Sequence, residues 1–262
     1  MGCCDSRSET VKVVKDKNHE QAGGHAGSLI ARGDKILKKV GPAELKFYQE
    51  LFDESLTDED LVEFKKFVPQ YFGTEDIDGH KYLVLENLLT GYEHPNLLDC
   101  KIGKVTWTRD HNERKTADQK KKAAETTTGS LGFRISGLVT KDSSGKVVDS
   151  FAKEEGFYSI KPENIHEHFK KIVGDDKKQI KSFIKQTEKL LKWFKHQKSK
   201  IFFTASVFYV LGKNGLSQTK FIDFAHVYDA EGETDESNLY LDVIQGLESV
   251  INVWKHLLAV DQ

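Results

Sequence analysis

The run PNLLDCKIG, Pro95 to Gly103, places an acid and an amine two residues apart, Asp99 and Lys101, in an otherwise apolar segment. Two other apolar segments carry an ionisable group of their own: Lys38 in KILKKV and Asp223 in FIDFAH. Burying an unpaired charge is costly, so such residues pair, bind a metal or meet a charged ligand. Taken singly, Lys38 pointing to solvent and Asp223 as a satisfied strand-end acid account for each; three such sites together point to chemistry. A nucleotide phosphoryl-transfer site needs this inventory: a lysine for phosphates, an acid for Mg2+ and a charged group beside the acceptor. Its catalysis is mostly positioning and electrostatic stabilisation of the transferred group. No GxxxxGKS/T loop, HRD or DFG occurs, which excludes a P-loop enzyme and an ordinary protein kinase.

The elements that must position these residues read as α+β. SLIA and KILKKV are short strands; Pro42 opens a helix in which Leu45, Tyr48, Leu51 and Phe52 recur at helical spacing. SLTDEDL reads as a solvated turn, and FVPQYFG and KYLVLENLL as sheet strands, until Gly91 and Pro95 break the pattern at a lobe boundary. Beyond it, LLDCKIGKVTW and LGFRISGLV are strands flanking a basic helix from about Asn112 to Ala124, and KDSSGKVVDS is a hairpin or surface turn. From Lys161 to Lys200 there are twelve lysines and five acids, with Ile180, Phe183, Ile184, Leu190, Leu191 and Phe194 as a helical stripe. IFFTASVFYVL and TKFIDFAHVY predict a buried two-stranded ribbon turned at Lys213-Asn214-Gly215. Leu241, Ile244, Leu247, Ile251, Trp254 and Leu258 predict a terminal amphipathic helix.

With 262 residues and 38% hydrophobic content, the chain has enough apolar material for one large domain or two packed lobes. Lysine and arginine number 39 against 41 acids, so partners must be read from charge grouping and not from net charge. The lysine clusters lack interleaved stacking aromatics, which argues against a nucleic-acid partner. Three cysteines without a CxxC or Cys/His array argue against a disulfide framework or a zinc site. Without a stretch long and apolar enough to cross a bilayer, a soluble, monomeric protein of the cytoplasm or nucleus is expected. Residues 1–18 read as a flexible tail, 19–90 as an N-terminal lobe and 91–262 as a C-terminal lobe. MGCCDS matches a myristoylation pattern at Gly2, with Cys3 and Cys4 as palmitoylation candidates; two acyl chains would tether the protein to a membrane.

PNLLDCKIG also fits the PxxxDxKxG signature of the inositol polyphosphate kinase family, and other landmarks resemble that family's in order. QAGGH, Gln21 to His25, resembles its glycine loop; Lys38, Glu44, Phe47 and Tyr48 resemble its KPxxxxExxFY segment; TTTGSLGFRISG resembles its TTSxxLGxRxxG strand; IDFAH is the last. The resemblance spans about residues 20–258. It implies a two-lobed, protein-kinase-like fold related to ATP-grasp, using ATP and Mg2+. Adenine would lie on backbone groups of Glu86 and Leu88, Lys38 on the phosphates and Asp223 on Mg2+. Asp99 would bind the ribose or order the reacting groups, and Lys101 would bridge the transferred phosphoryl group and the acceptor. The Asp99 and Lys101 pair would then face a cleft filled by polyanions.

In HNERKTADQKKK, helical spacing puts Lys115, Gln119 and Lys122 on one face, which follows directly on the Lys101 strand. By resemblance these residues and His226 bind the inositol polyphosphate. Asp118 departs from the glutamine or arginine usual in relatives. IDFAH, in place of IDFGKT, and the absence of an extra helical insert argue against the calmodulin-regulated trisphosphate 3-kinases. TTTGSLGFRISG looks closer to the hexakisphosphate kinases, which make a diphosphoinositol product, although TASVFY departs from the SSLL motif. An inositol polyphosphate multikinase acting on tris- and tetrakisphosphates is the alternative. A non-catalytic, membrane-associated inositide sensor is a third reading, one that loss of Lys38, Asp99, Lys101 or Asp223 would mark; all four are present.

Overall fold

A computed structural model of the chain describes residues 28–151, 154–230 and 236–260. The expected tail, Gly2, Cys3, Cys4 and the Gln21–His25 loop lie outside the described residues. The chain opens with the hairpin of β1 (Leu29–Arg32) and β2 (Lys35–Lys39). Helix α1 (Pro42–Leu51) follows, with Pro42 in its first turn, where the missing N–H has no partner to lose. The acidic SLTDEDL is more than a turn: Asp58 accepts from the Leu61 amide and caps α2 (Glu59–Phe64). Nor is FVPQYFG one strand, since Lys65–Phe67 form a 3-10 turn before β3 (Tyr71–Ile77) and β4 (His80–Glu86). The four strands form an antiparallel sheet in the order β1-β2-β4-β3.

The second sheet starts at β5 (Asn96–Ile102), so the Gly91 and Pro95 break falls between the sheets. Along β5 only Lys101 is not buried, as befits a strand in the middle of its sheet. Next come α3 (Glu113–Glu125), α4 (Thr127–Leu131), β6 (Phe133–Lys141), β7 (Val147–Phe151), α5 (Glu154–Ser159), α6 (Ile165–Val173) and α7 (Lys177–His196). The front half of TTTGSLGFRISG is therefore helical and not strand; Gly132, at φ +74°, ends α4 in the left-handed conformation and starts β6.

The expected two-stranded ribbon exists but is broken in both strands at one level. Its outer part, β9 (Ser206–Leu211) with β10 (Ser217–Ile222), joins the five-stranded sheet β10-β9-β5-β6-β7. Its inner part, β8 (Lys200–Phe202) with β11 (Val227–Asp229), is a separate pair. Thr204 at φ +58° and Asp223 at φ +69° lie at the facing breaks. The final helix, α8 (Glu236–Ala259), buries Val243, Leu247, Ile251 and Trp254, while Leu241 of the predicted stripe is exposed. One apolar cluster runs through the molecule, from Phe47, Tyr48 and Phe64 through Phe202, Phe221 and Phe224 to Trp193 and Trp254.

Candidate active site

The break in the ribbon creates the site. Ile222 is the last residue of β10 to pair, opposite Ser206, and Val227 is the next to pair, opposite Phe202. Between them Asp223–His226 leave the sheet, anchored where the Phe203 amide donates to the His226 carbonyl at 2.9 Å. An acidic residue tolerates the left-handed backbone that this exit requires better than a branched one does.

Lys38, on β2 of the first sheet, reaches across to Asp223, Nζ to Oδ1 at 2.6 Å, and to Glu44 Oε1 on α1 at 2.8 Å. Glu44 Oε1 also accepts from the Phe224 amide at 3.1 Å, so one buried carboxylate holds both the lysine and the exit turn. Burial works against the charge on Lys38, but Asp223 and then Glu44 outweigh it and hold the ammonium well above the ordinary lysine value. Asp223 is the mirror case: burial favours its neutral form, yet Lys38 and Lys101 hold it below the carboxylate range.

Asp99 and Lys101 project from one face of β5, as residues two apart in a strand must. Ser136 is an extra residue on β6 at a register shift opposite Asp99 and Cys100, a bulge that re-aims its hydroxyl. Its Oγ donates to Asp99 Oδ1 at 2.6 Å. Burial, and then repulsion by Asp223, push Asp99 above the ordinary carboxylate value, and the Ser136 bond offsets only part of this. Lys101 Nζ donates to the Thr204 carbonyl at 2.8 Å, where the second ribbon strand breaks. Burial lowers its proton affinity, with Asp223 the main opposing influence. After β5, Gly103 turns at φ +99°; a Cβ there would meet Asp242 Oδ2 at 2.9 Å. That carboxylate accepts from the Lys104 and Val105 amides, tying α8 to the turn that follows the pair.

On the basic helix, Asn112 caps α3 by accepting from the Lys115 amide at 2.9 Å. Lys115 is exposed and its charge bears on His226; burial first, then His111, Lys115 and Lys101, hold that imidazole below its ordinary value. Gln119 is half-buried. Lys115, Gln119 and Lys122 lie at helical spacing on one face of α3; the Lys122 Nζ is 4.9 Å from the Phe157 ring centre, and Arg134 packs on the same ring at 5.6 Å. The structure thus gathers Lys38, Asp99, Lys101, Asp223, His226 and Lys115 around one region, with Lys122 on the ring that also carries Arg134, the cross-strand partner of Lys101. Glu86 ends β4; Leu88, in the connection that follows, accepts from Gln218 Nε2 of β10 through its carbonyl.

Glu44 and Ser136 are site residues that charge in apolar strands did not single out. The signal for Glu44 was present, since it lies three and four residues before Phe47 and Tyr48 on the apolar face of α1. Ser136 gave none, because a bulge is a property of the pairing between strands. Among the described residues no group of three His, Cys, Asp or Glu side chains could hold a metal. The single carboxylate of Asp223 fits Mg2+, which binds through one or two carboxylates and completes its shell with substrate phosphates and water.

Residues 82–255 match the sequence profile of the inositol polyphosphate kinase family. Inositol polyphosphate multikinase alpha of Arabidopsis thaliana is 28% identical, over 94% of this chain and 96% of that protein. The multikinase of Schizosaccharomyces pombe is 33% identical, over 47% of this chain and 50% of its own. A crystal structure of the Saccharomyces cerevisiae inositol phosphate multikinase in complex with ADP and Mn2+ superposes with a TM-score of 0.71 at 23% identity, covering 86% of this chain and all of that one. A second multikinase structure superposes at 0.66 with 28% identity, covering 82% of this chain and 99% of that one. With the IDFAH turn held by Lys38 and Glu44, the DCKIG strand bonded through Lys101 to the facing break at Thr204, and a fold shared with those structures, the chain belongs to the inositol polyphosphate kinase family.

Proposed function

We propose that this kinase is a multikinase, transferring the γ-phosphoryl group of ATP to inositol tris- and tetrakisphosphates with Mg2+. The observation that carries the reading is the ion pair of Lys38 with Asp223, across two sheets and next to Lys101 and a basic helix. It brings a lysine suited to phosphates and a carboxylate suited to a metal together beside a basic helix suited to the acceptor. Mg2+, when bound, neutralises charge on the transferred phosphoryl group. Asp223 would hold it, and Lys38, released from that carboxylate, would serve the phosphates while Glu44 keeps hold of the exit turn. Lys101 carries its charge toward the acceptor side, where negative charge develops. Asp99, with its proton affinity raised by burial, orders the acceptor hydroxyl and is suited to take its proton. The Leu88 carbonyl and the Glu86 amide are already bonded to Gln218 and Gln70, so adenine is read by the Glu86 carbonyl and the Leu88 amide.

That the relatives named above are multikinases supports this reading over a hexakisphosphate kinase. Incubation with ATP, Mg2+ and, separately, inositol tris-, tetrakis-, pentakis- and hexakisphosphate, with products resolved by anion exchange, separates the two. Transfer to the lower acceptors alone is expected. A product more anionic than hexakisphosphate, formed from it, would restore the diphosphate-forming reading, and no transfer to any acceptor would revive the inositide sensor.

A further inference from the structure

One imidazole beside the acceptor helix has no part in the reading above. His111 precedes the Asn112 cap of α3 and meets His226 edge to face, with ring centres 5.4 Å apart and planes at 89°. Its Nδ1 accepts from the Thr108 amide at 3.4 Å, so the neutral ring carries its proton on Nε2. That Nε2 is buried and, among the described residues, has no hydrogen-bond partner. Orphaned buried donors are rare in native proteins and mark a missing partner.

Charge reaches the two rings from each element around them. Lys101 on β5 bears on His226, and Lys115 on α3 bears on both rings. Asp110, on the same loop as His111, opposes them, but its carboxylate also accepts from the Tyr228 hydroxyl on β11, over whose ring Arg109 lies at 4.8 Å. We propose that His111 and His226 act together as one proton-binding element of the acceptor site, taking up a proton as a polyphosphate enters. The identity of that polyphosphate rests on the multikinase reading. Burial, and then the neighbouring positive groups, hold both rings below the ordinary histidine value and so favour their neutral form. A polyanion reverses the local field and favours the imidazolium: at His111 the added proton enters on Nδ1, which gives up its 3.4 Å bond from the Thr108 amide, while the Nε2–H donates to a phosphate oxygen as a charge-assisted bond. The sign follows: protons are taken up on binding, so acceptor affinity strengthens as pH falls and weakens as pH rises, by at most about tenfold per pH unit for one proton.

Calorimetric titration of the full chain with inositol tetrakisphosphate at pH 7, in two buffers of different ionisation enthalpy, counts the protons. Because the ligand's phosphates titrate in the same range, the quantity read is wild type minus His111→Ala and wild type minus His111→Gln. The wild type is expected to take up more protons than either variant. Its acceptor KM should also rise about three- to tenfold more than theirs between pH 6 and pH 8, with the KM for ATP unchanged by substitution. Equal proton counts and equal pH slopes would overturn the proposal. So would variants whose KM for ATP rises in step with that for the acceptor, the mark of a merely structural ring. A wild type that binds tetrakisphosphate with His111-dependent uptake but transfers no phosphate upholds the pair and sinks the multikinase reading. One that transfers without such uptake does the reverse, and one that binds no inositol phosphate overturns both.

Discussion

Asp223 and Asp99 are the same side chain in opposite electrostatic circumstances. Asp223 keeps its charge because Lys38 and Lys101 outweigh burial. Its contribution to stability is therefore present above the unfolded carboxylate value, near 4, and is lost as pH falls through the lower folded value. Asp223→Asn preserves the shape and the left-handed backbone, and Glu44 still holds Lys38. Phosphoryl transfer should drop on the order of 100-fold or more, the unfolding midpoint at pH 7 should fall by about 1–4 °C as the ion pair with Lys38 is lost, and full turnover in this variant would remove Asp223 from the metal site. Asp99 runs the other way. Burial and Asp223 raise its proton affinity, so its ionised form costs the fold stability at every pH above the ordinary carboxylate value. Asp99→Asn, which still accepts from Ser136, should melt about 1–3 °C higher at pH 7 and no higher at about pH 3, while transfer falls. A midpoint at pH 7 below that of the wild type would contradict this account.

The interrupted ribbon is the element on which the site depends. A continuous hairpin would pair Asp223 and bury its backbone; the break releases residues 223–226 and leaves the Thr204 carbonyl to Lys101. A branched residue at φ +58° is strained, and such strain gathers where the surrounding structure needs it. Helix α3 divides its lysines between two tasks. Lys115, near His226, should matter to the acceptor: Lys115→Ala is expected to raise the acceptor KM about tenfold, the loss of one charge-assisted bond, and to leave the KM for ATP in place. Lys122 lies against Phe157, and Lys122→Ala should instead lower stability by about 0.5–2 kcal/mol, seen as a lower unfolding midpoint. If the two variants behave alike in steady-state kinetics and in melting, the division of the helix is mistaken.

At the scale of the molecule, the two sheets do not each close over a core of their own. Phe64 of α2 stacks on Trp193 of α7 at 4.2 Å and contacts Phe202, Phe221 and Phe224 from the second half of the chain. Cores joined in this way unfold together, so scanning calorimetry should give one transition with matching calorimetric and van't Hoff enthalpies. Two separated transitions would show that the lobes are independent. Phe64→Ala, which opens a cavity at this junction, is expected to cost about 3–5 kcal/mol and to move that single transition down without splitting it. Among the described residues no helix is long and apolar enough to cross a membrane, and the acylation pattern at Gly2, Cys3 and Cys4 lies outside them.

What the sequence determined by itself was local: helices on the period of α1, α7 and α8, the strand with Asp99 and Lys101, and the charges of Lys38 and Asp223 in apolar surroundings. Those properties depend on residues a few positions apart, which is the range over which periodicity and desolvation act. Tertiary structure decided the rest. Ile201 to Tyr209 reads as one apolar strand, and only packing against β5 on one side and the α1 region on the other splits it at Thr204. The Ser136 bulge exists only once β6 is paired with β5. That Lys122 packs on Phe157, thirty-five positions away, was likewise set by the fold. Glu44, Lys38 and Asp223 meet across separations of 6 and 185 residues. Such a contact is fixed by the closure of the chain and not by any neighbour in sequence, which is why the chemistry of each residue was legible before the site they form.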